Sequence, residues 1–161
     1  MSAATGLHGV QRRMVGHGAL ILLIGMLAGV GLLVSLLGGL EVWPGTLLPF
    51  QLPGATDAWV RTHLGGMLNG ILIMVVAAVL PMVGFDASAG QRVSWMLVGT
   101  GWANTLFYWA ALLSPNRALT FGDNRFGTSN LAAVLGLAPA LVFTLVSIVA
   151  VAVLARQAFA K

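Results

Sequence analysis

Five polar side chains stand out because apolar sequence surrounds them: His17, His63, Asn69, Asn104 and Tyr108, the last being the only tyrosine of the chain. Polar groups at membrane depth are costly, so each is a candidate for function. His17 lies between Gly16 and Gly18, which leave room beside the imidazole for a metal or a propionate. It could equally sit at the membrane interface, bonded to lipid or water. His63 follows Arg61 at the start of an apolar stretch, where a histidine is either interfacial or a ligand. Gly65 and Gly66 come next, and such glycines let a flat group approach the backbone. Asn104 and Tyr108 are four residues apart and share a helix face, with Gly101 on the same side. Asn69 could join them from another helix. They form either a small polar pocket or interhelical hydrogen bonds worth roughly 1 kcal/mol each. Trp95, Trp102 and Trp109 recur every seven residues as one stripe, suited to packing, to lipid or to a flat aromatic wall. The chain has no cysteine, which excludes disulfides, thiolate metal sites and cysteine nucleophiles.

The elements that must position these groups follow from composition. Of 161 residues, 58% are hydrophobic and 7% charged, against about 25% charged in an ordinary soluble domain. Four stretches carry no Asp, Glu, Lys or Arg: Met14–Leu40, Leu64–Phe85, Val93–Asn116 and Thr128–Ala155. Each exceeds the roughly 20 residues a helix needs to cross the hydrocarbon core, and in lipid the backbone must satisfy itself as helix. The expectation is one all-α membrane domain over 1–161, a four-helix bundle with helices near 14–40, 64–85, 93–114 and 128–155. Pro81 and Pro139 would lie inside two of them, with Pro139 kinking the last. Arg12-Arg13 before an apolar run resembles a twin-arginine signal, but the run is too long, so a retained helix is expected.

The basic residues, net charge +4, are scattered and form no patch, so no nucleic-acid partner is expected. Their distribution sets topology. Arg12, Arg13, Arg92, Arg156 and Lys161 would share one side with both termini and the connection 86–92; Arg61, Arg117 and Arg125 would lie on the other. Five against three puts both termini in the cytoplasm. The outer connections are a proline-bearing segment with Pro44, Pro49 and Pro53, expected to be extended or turned, and a turn-rich loop from Ser114 to Gly127. Small residues recur every four positions at Gly25 and Gly29, Gly66 and Gly70, and Ala132, Gly136 and Ala140, serving either bundle packing or subunit contact. No internal repeat suggests a transporter of inverted halves.

Several segments, in order over about residues 14–140, resemble the bacterial styrene oxide isomerases. They are Gly16-His17-Gly18, Gly39-Leu40-Glu41-Val42-Trp43-Pro44-Gly45, Ala58-Trp59-Val60-Arg61-Thr62-His63 running on to Leu68-Asn69-Gly70, and Gly101-Trp102-Ala103-Asn104 through Tyr108 to Ser114-Pro115-Asn116-Arg117. Leu119-Thr120-Phe121-Gly122, Asn124-Arg125-Phe126-Gly127 and Leu137-Ala138-Pro139-Ala140 continue the match. The resemblance implies a four-helix fold, a homotrimer in the bacterial inner membrane and a ferric haem b near the subunit interface. It also implies conversion of a small aryl epoxide to an aldehyde without redox turnover. By resemblance, His63 is the axial haem ligand, while Asn69, Asn104 and Tyr108 are the polar residues of the substrate pocket.

That activity fits the residues. A ferric haem with one histidine ligand keeps an open position for the epoxide oxygen and acts as a Lewis acid, tuned by its axial ligand. Tyr108 and an asparagine would orient the epoxide, and a dry site would protect the benzylic cation from water until a hydride shift gives the aldehyde. The competing readings are a non-catalytic b-type cytochrome, which would need His17 to pair with His63 across the membrane, and a small-solute transporter.

Overall fold

The protein, seen as a computed structural model that describes residues 3–160, is a bundle of four helices with a small hairpin at one end. Lys161, counted above towards topology, lies outside the described residues. Helix α1 runs Ala3–Leu37, α2 Thr56–Val79, α3 Ala87–Leu112 and α4 Leu131–Phe159; strands β1 (Gly39–Trp43) and β2 (Thr46–Pro49) pair antiparallel between α1 and α2.

Each helix departs from its expected bounds because charged residues at a membrane edge do not stop a helix. α1 begins well before Met14 and carries Arg12 and Arg13 within it. At 35 residues it is about 52 Å long, so its first turns overhang a hydrocarbon core of about 30 Å. It ends at Leu37 rather than Leu40 because Gly38 turns left-handed, at φ +67°. α2 begins at Thr56, two turns before the expected start, with Asp57 in its first turn. It stops at Val79, ahead of Pro81, so that proline lies in the turn and not inside the helix. α3 starts at Ala87 because Asp86 caps it, its carboxylate accepting from the Ala89 amide at 2.7 Å. Residues 87–92 are therefore helix, and the connection is shorter than expected. α4 starts behind the cap Asn130 and continues as one helix through Pro139.

The helix ends sort as the charge pattern predicts. The start of α1, the α2–α3 turn and the end of α4 meet at one end, where Leu7 covers Gly90 and the Gln157 side chain donates to the Gly84 carbonyl at 3.4 Å. The other end holds the hairpin and the 114–130 loop. In the hairpin, Pro44 lies in the turn and Pro49 ends β2, within the extended or turned segment expected, and Gly45 at φ +81° makes the reversal. The loop is ordered around Asn116, which is fully buried. Its amide donates to the carbonyls of Thr120 at 2.9 Å and Gly122 at 3.0 Å and accepts from the Ala118 amide at 3.0 Å. That bonding holds Arg117 and Ala118 in the left-handed region, at φ 60° and 53°. Arg117 also pairs with Asp57 of α2, and both Arg117 and Arg125 stack over the Phe126 ring.

Inside, Met14, Ile21, Ile73, Leu80 and Val93 are fully buried where α1, α2 and α3 meet. Outside, the surface is apolar: Leu20, Leu23, Leu27 and Val30 on α1, Leu64, Leu68 and Val75 on α2, and Leu141, Leu145 and Ile148 on α4 are all exposed. Such a surface is stable in lipid and not in water. Three helices, α1, α2 and α4, are long and apolar enough to cross a membrane. The 26-residue α3 is long enough but carries more polar groups. It packs against each of the other three helices, so less of it needs to face lipid. The chain is a multi-pass membrane protein.

Candidate functional site

The geometry begins with the seam between α1 and α2. Gly25 and Gly66 bring the two backbones into contact: a Cβ on Gly25 would lie 2.6 Å from the Met67 amide nitrogen. Gly70 meets α1 in the same way, against the Gly18 carbonyl and Leu22. The small residues expected to serve either packing or subunit contact therefore pack α1 on α2, while Gly136 admits Ala110 and Phe107 of α3.

His63 projects into that seam. Its Nδ1 lies 2.9 Å from the Gly25 carbonyl oxygen, and the ring covers Gly29, where a Cβ would come within 2.8 Å of it. Opposite Gly25 and Gly29, His63 faces the middle of the apolar run of α1, not the outer interface expected for it; the early start of α2 moves it inward by two turns. Because a carbonyl can only accept, Nδ1 carries the proton. Nε2 then has the lone pair, and it has no hydrogen-bond partner among the described residues.

The other predicted site residues meet at another face of α2, with Asn69 on that helix and Asn104 and Tyr108 on α3. At 3.6 residues per turn, Asn69 is about 120° round the helix from His63, facing α3. The Asn104 amide donates to Asn69 Oδ1 at 3.1 Å, and the Asn69 amide donates to the Gly65 carbonyl at 2.7 Å. The Tyr108 ring packs against Gly65: a Cβ there would stand 2.4 Å from the ring and 2.9 Å from the hydroxyl oxygen. Thr62 ties the same level together by donating to the Ala58 carbonyl at 2.8 Å and the Tyr108 carbonyl at 3.2 Å. Asn69, Asn104 and Tyr108 therefore form one cluster. The glycine beside it is Gly65; the space at Gly101, expected to border it, is filled by Ile21 and Ile73. The Tyr108 hydroxyl has no hydrogen-bond partner among the described residues.

His17 takes no part. Its Nδ1 accepts from the Trp102 indole N–H at 3.2 Å, and it lies 8 to 12 residues from the level of His63 along α1, or about 12–18 Å. The two imidazoles cannot ligate one iron within a chain. The tryptophan stripe divides accordingly: Trp95 is exposed, Trp102 holds His17, and Trp109 packs edge-on against Trp59 with ring centroids 5.8 Å apart. Trp59 and Trp109 line an apolar cavity of about 460 Å³ with Leu106 and Leu135. The cavity adjoins the Tyr108 level, yet none of the three polar cluster residues lines it.

A haem asks little of a protein's donor set, since the porphyrin supplies four of the iron's ligands and one imidazole nitrogen supplies the fifth. His63 fits that demand: its tautomer is fixed, its Nε2 is free, and glycine lies beside its ring. Arg61, which in the sequence counts only towards topology and the resemblance, has Nε and Nη2 buried without a hydrogen-bond partner among the described residues. The signal was available in the small number of carboxylates that could pair with it.

Two comparisons with known proteins bear on the family of the chain. The family model described as styrene oxide isomerase matches residues 10–159. A styrene-oxide isomerase of Pseudomonas fluorescens is 43% identical over 152 residues, covering 94% of this chain and 90% of that protein. With a matched span that reaches into all four helices and covers most of both proteins, the chain belongs to the styrene oxide isomerase family.

Proposed function

We propose that the protein isomerises small aryl epoxides, styrene oxide among them, to aryl acetaldehydes such as phenylacetaldehyde, by the rearrangement that bears Meinwald's name. The cofactor in this reading is ferric haem b held through His63 Nε2. The observation that carries it is the hydrogen bond from His63 Nδ1 to the Gly25 carbonyl, which leaves the lone pair of Nε2 free in an otherwise apolar seam. The relative's name supports the substrate class.

When bound, the ferric haem supplies a Lewis acid for the epoxide oxygen. The chain supplies the rest. The Tyr108 hydroxyl is free to donate to the oxygen as negative charge gathers on it. Asn69 and Asn104 are locked by their own hydrogen bonds, so the Asn104 amide presents a fixed remaining N–H and carbonyl. The neighbouring apolar residues keep water from the benzylic cation, which would otherwise be trapped as a diol. Hydride then passes to the adjacent cation carbon. No atom enters or leaves, and the C–O bond becomes a carbonyl.

The assembly in this reading is a homotrimer, as the family resemblance implies. On α2, the outward strip of Leu64 and Leu68 is exposed, with His63 on its α1 flank and Gly65 and Tyr108 on its α3 flank. A neighbouring copy laid on that strip would bring one chain's imidazole towards another chain's polar cluster. The excess of Arg at the end shared by the termini supports a cytoplasmic placement of both in a bacterial inner membrane. The test is direct: protein purified in detergent, with its absorption spectrum recorded, is given styrene oxide and the products are separated. Phenylacetaldehyde with a five-coordinate ferric spectrum is expected. Diol alone, or conversion by protein without a Soret band, would overturn the reading.

A further inference from the structure

Arg61 lies in α2 with Nε and Nη2 shielded from solvent and without a hydrogen-bond partner among the described residues. A guanidinium cannot shed its charge to escape burial, because it does not deprotonate in proteins. Its two buried nitrogens have no partner among the described residues, and a carboxylate or another anion would satisfy both at once.

The chain's own carboxylates are engaged. It has four acidic residues, Glu41, Asp57, Asp86 and Asp123. Asp57, one turn before Arg61 and its natural partner, is paired with Arg117. Glu41 accepts from the Gly45 amide at 2.6 Å in the hairpin. Asp86 caps α3 at the opposite end of the molecule, and Asp123 accepts from the Ser129 amide at 2.7 Å in the outer loop. Among the described residues, none of these four carboxylates pairs with Arg61.

The position of Arg61 narrows the choice. It is one turn before Gly65, on the flank of α2 that carries the Tyr108 cluster, about 160° round the helix from His63. The exposed strip of Leu64 and Leu68 lies between the two flanks. A copy of the chain packed on that strip would set its Arg61 near the edge of whatever flat group its neighbour's His63 holds.

We propose that Arg61 binds a carboxylate of the haem across the subunit seam. Arginine suits the task because its planar fork matches a carboxylate in two parallel hydrogen bonds. The proposal rests on the haem reading above and adds to it a fixed rotation of the porphyrin about the His63–iron axis. A phospholipid headgroup is the other source of such an anion, and the test separates the two.

Full-length protein made under haem limitation is loaded in detergent with haem b or with its dimethyl ester, which has no charged carboxylate. Retention is read as the rate of transfer to apomyoglobin, so no catalysis enters the measurement. Wild-type protein should hold haem b about tenfold longer than the ester, and Arg61→Gln should cut that difference to about twofold while keeping the His63-dependent Soret band. Arg61→Lys, which keeps the charge and loses the fork, should fall between them; this variant also separates charge loss from a folding defect. Full discrimination in Arg61→Gln overturns the proposal and leaves the haem reading intact. Unchanged discrimination with loss of co-purified anionic phospholipid, read by mass spectrometry, overturns it in favour of lipid. If the wild-type protein takes up neither porphyrin, the haem reading fails and the proposal fails with it.

Discussion

The two long faces of α2 are built on opposite principles. Towards α1 the helix removes side chains: Gly66 and Gly70 put backbone on backbone, and His63 enters the space that Gly29 leaves open. Towards α3 it adds polar ones: Thr62 and Asn69 reach across to the Tyr108 carbonyl and Asn104. A glycine seam positions an imidazole by shape, with a single carbonyl fixing its tautomer. An amide seam positions a pocket by direction, each hydrogen bond fixing the next. Damage to the first should therefore appear as lost cofactor or lost stability, and damage to the second as lost rate with the cofactor in place.

The widest separation is expected from His63→Ala. Haem content should collapse and aldehyde formation should fall to that of a protein-free control, as read by the Soret band and by product analysis. Retention of a wild-type spectrum would move the ligand elsewhere and dissolve the contrast. Tyr108→Phe tests the other seam. It removes one hydroxyl from a ring that already lies on Gly65, so haem content should be unchanged. The loss of a donor to developing negative charge should cost about 2.7–4 kcal/mol in kcat/KM, a fall of about 10²–10³. Wild-type kinetics would leave Tyr108 as packing alone.

Gly25→Ala sharpens the comparison from the side of stability. The new methyl would meet backbone atoms of Gly66 and Met67, which have no rotamer to yield. Overpacking of this kind costs about 1–3 kcal/mol, read as a lower Tm in detergent, and the shift in α1 should loosen haem as well. Asp86 belongs to neither seam and sets the floor. The Ala89 amide and the Ser88 hydroxyl hold its carboxyl below the ordinary value of 3.8. Its contribution is therefore present above that pH and is lost as pH falls through the lower folded value. Asp86→Ala should lower Tm slightly near neutrality, with the difference closing under acid and no change in haem or rate.

The helices were legible because charge-free runs longer than 20 residues admit few other structures. Their ends were not, since Arg12, Asp57, Arg61 and Arg92 continue helices instead of ending them. That one error misplaced His63, which looked interfacial after Arg61 and faces the middle of α1 instead. That Asn104 and Tyr108 share a face could be read from their spacing, and Asn69 meets Asn104 through a hydrogen bond. The choice of Gly65 over Gly101 as the glycine beside Tyr108 depends on how α2 and α3 are rotated against each other. No single-helix spacing carries that information. The 39–49 hairpin was similarly half legible, because Pro44 and Gly45 announce a turn while strand pairing needs the partner in register.

The placement of the four carboxylates has a bioenergetic consequence. Glu41 and Asp123 sit at the hairpin end, Asp57 in the first turn of α2 beside them, and Asp86 at the opposite end. Between these levels the bundle interior offers amides, hydroxyls, indoles and widely spaced imidazoles, and none of the carboxylate steps from which proton relays are built. An isomerisation consumes and releases no net proton, so it needs no such relay. The bundle can therefore work inside a membrane that stores energy as a proton gradient without becoming a leak in it.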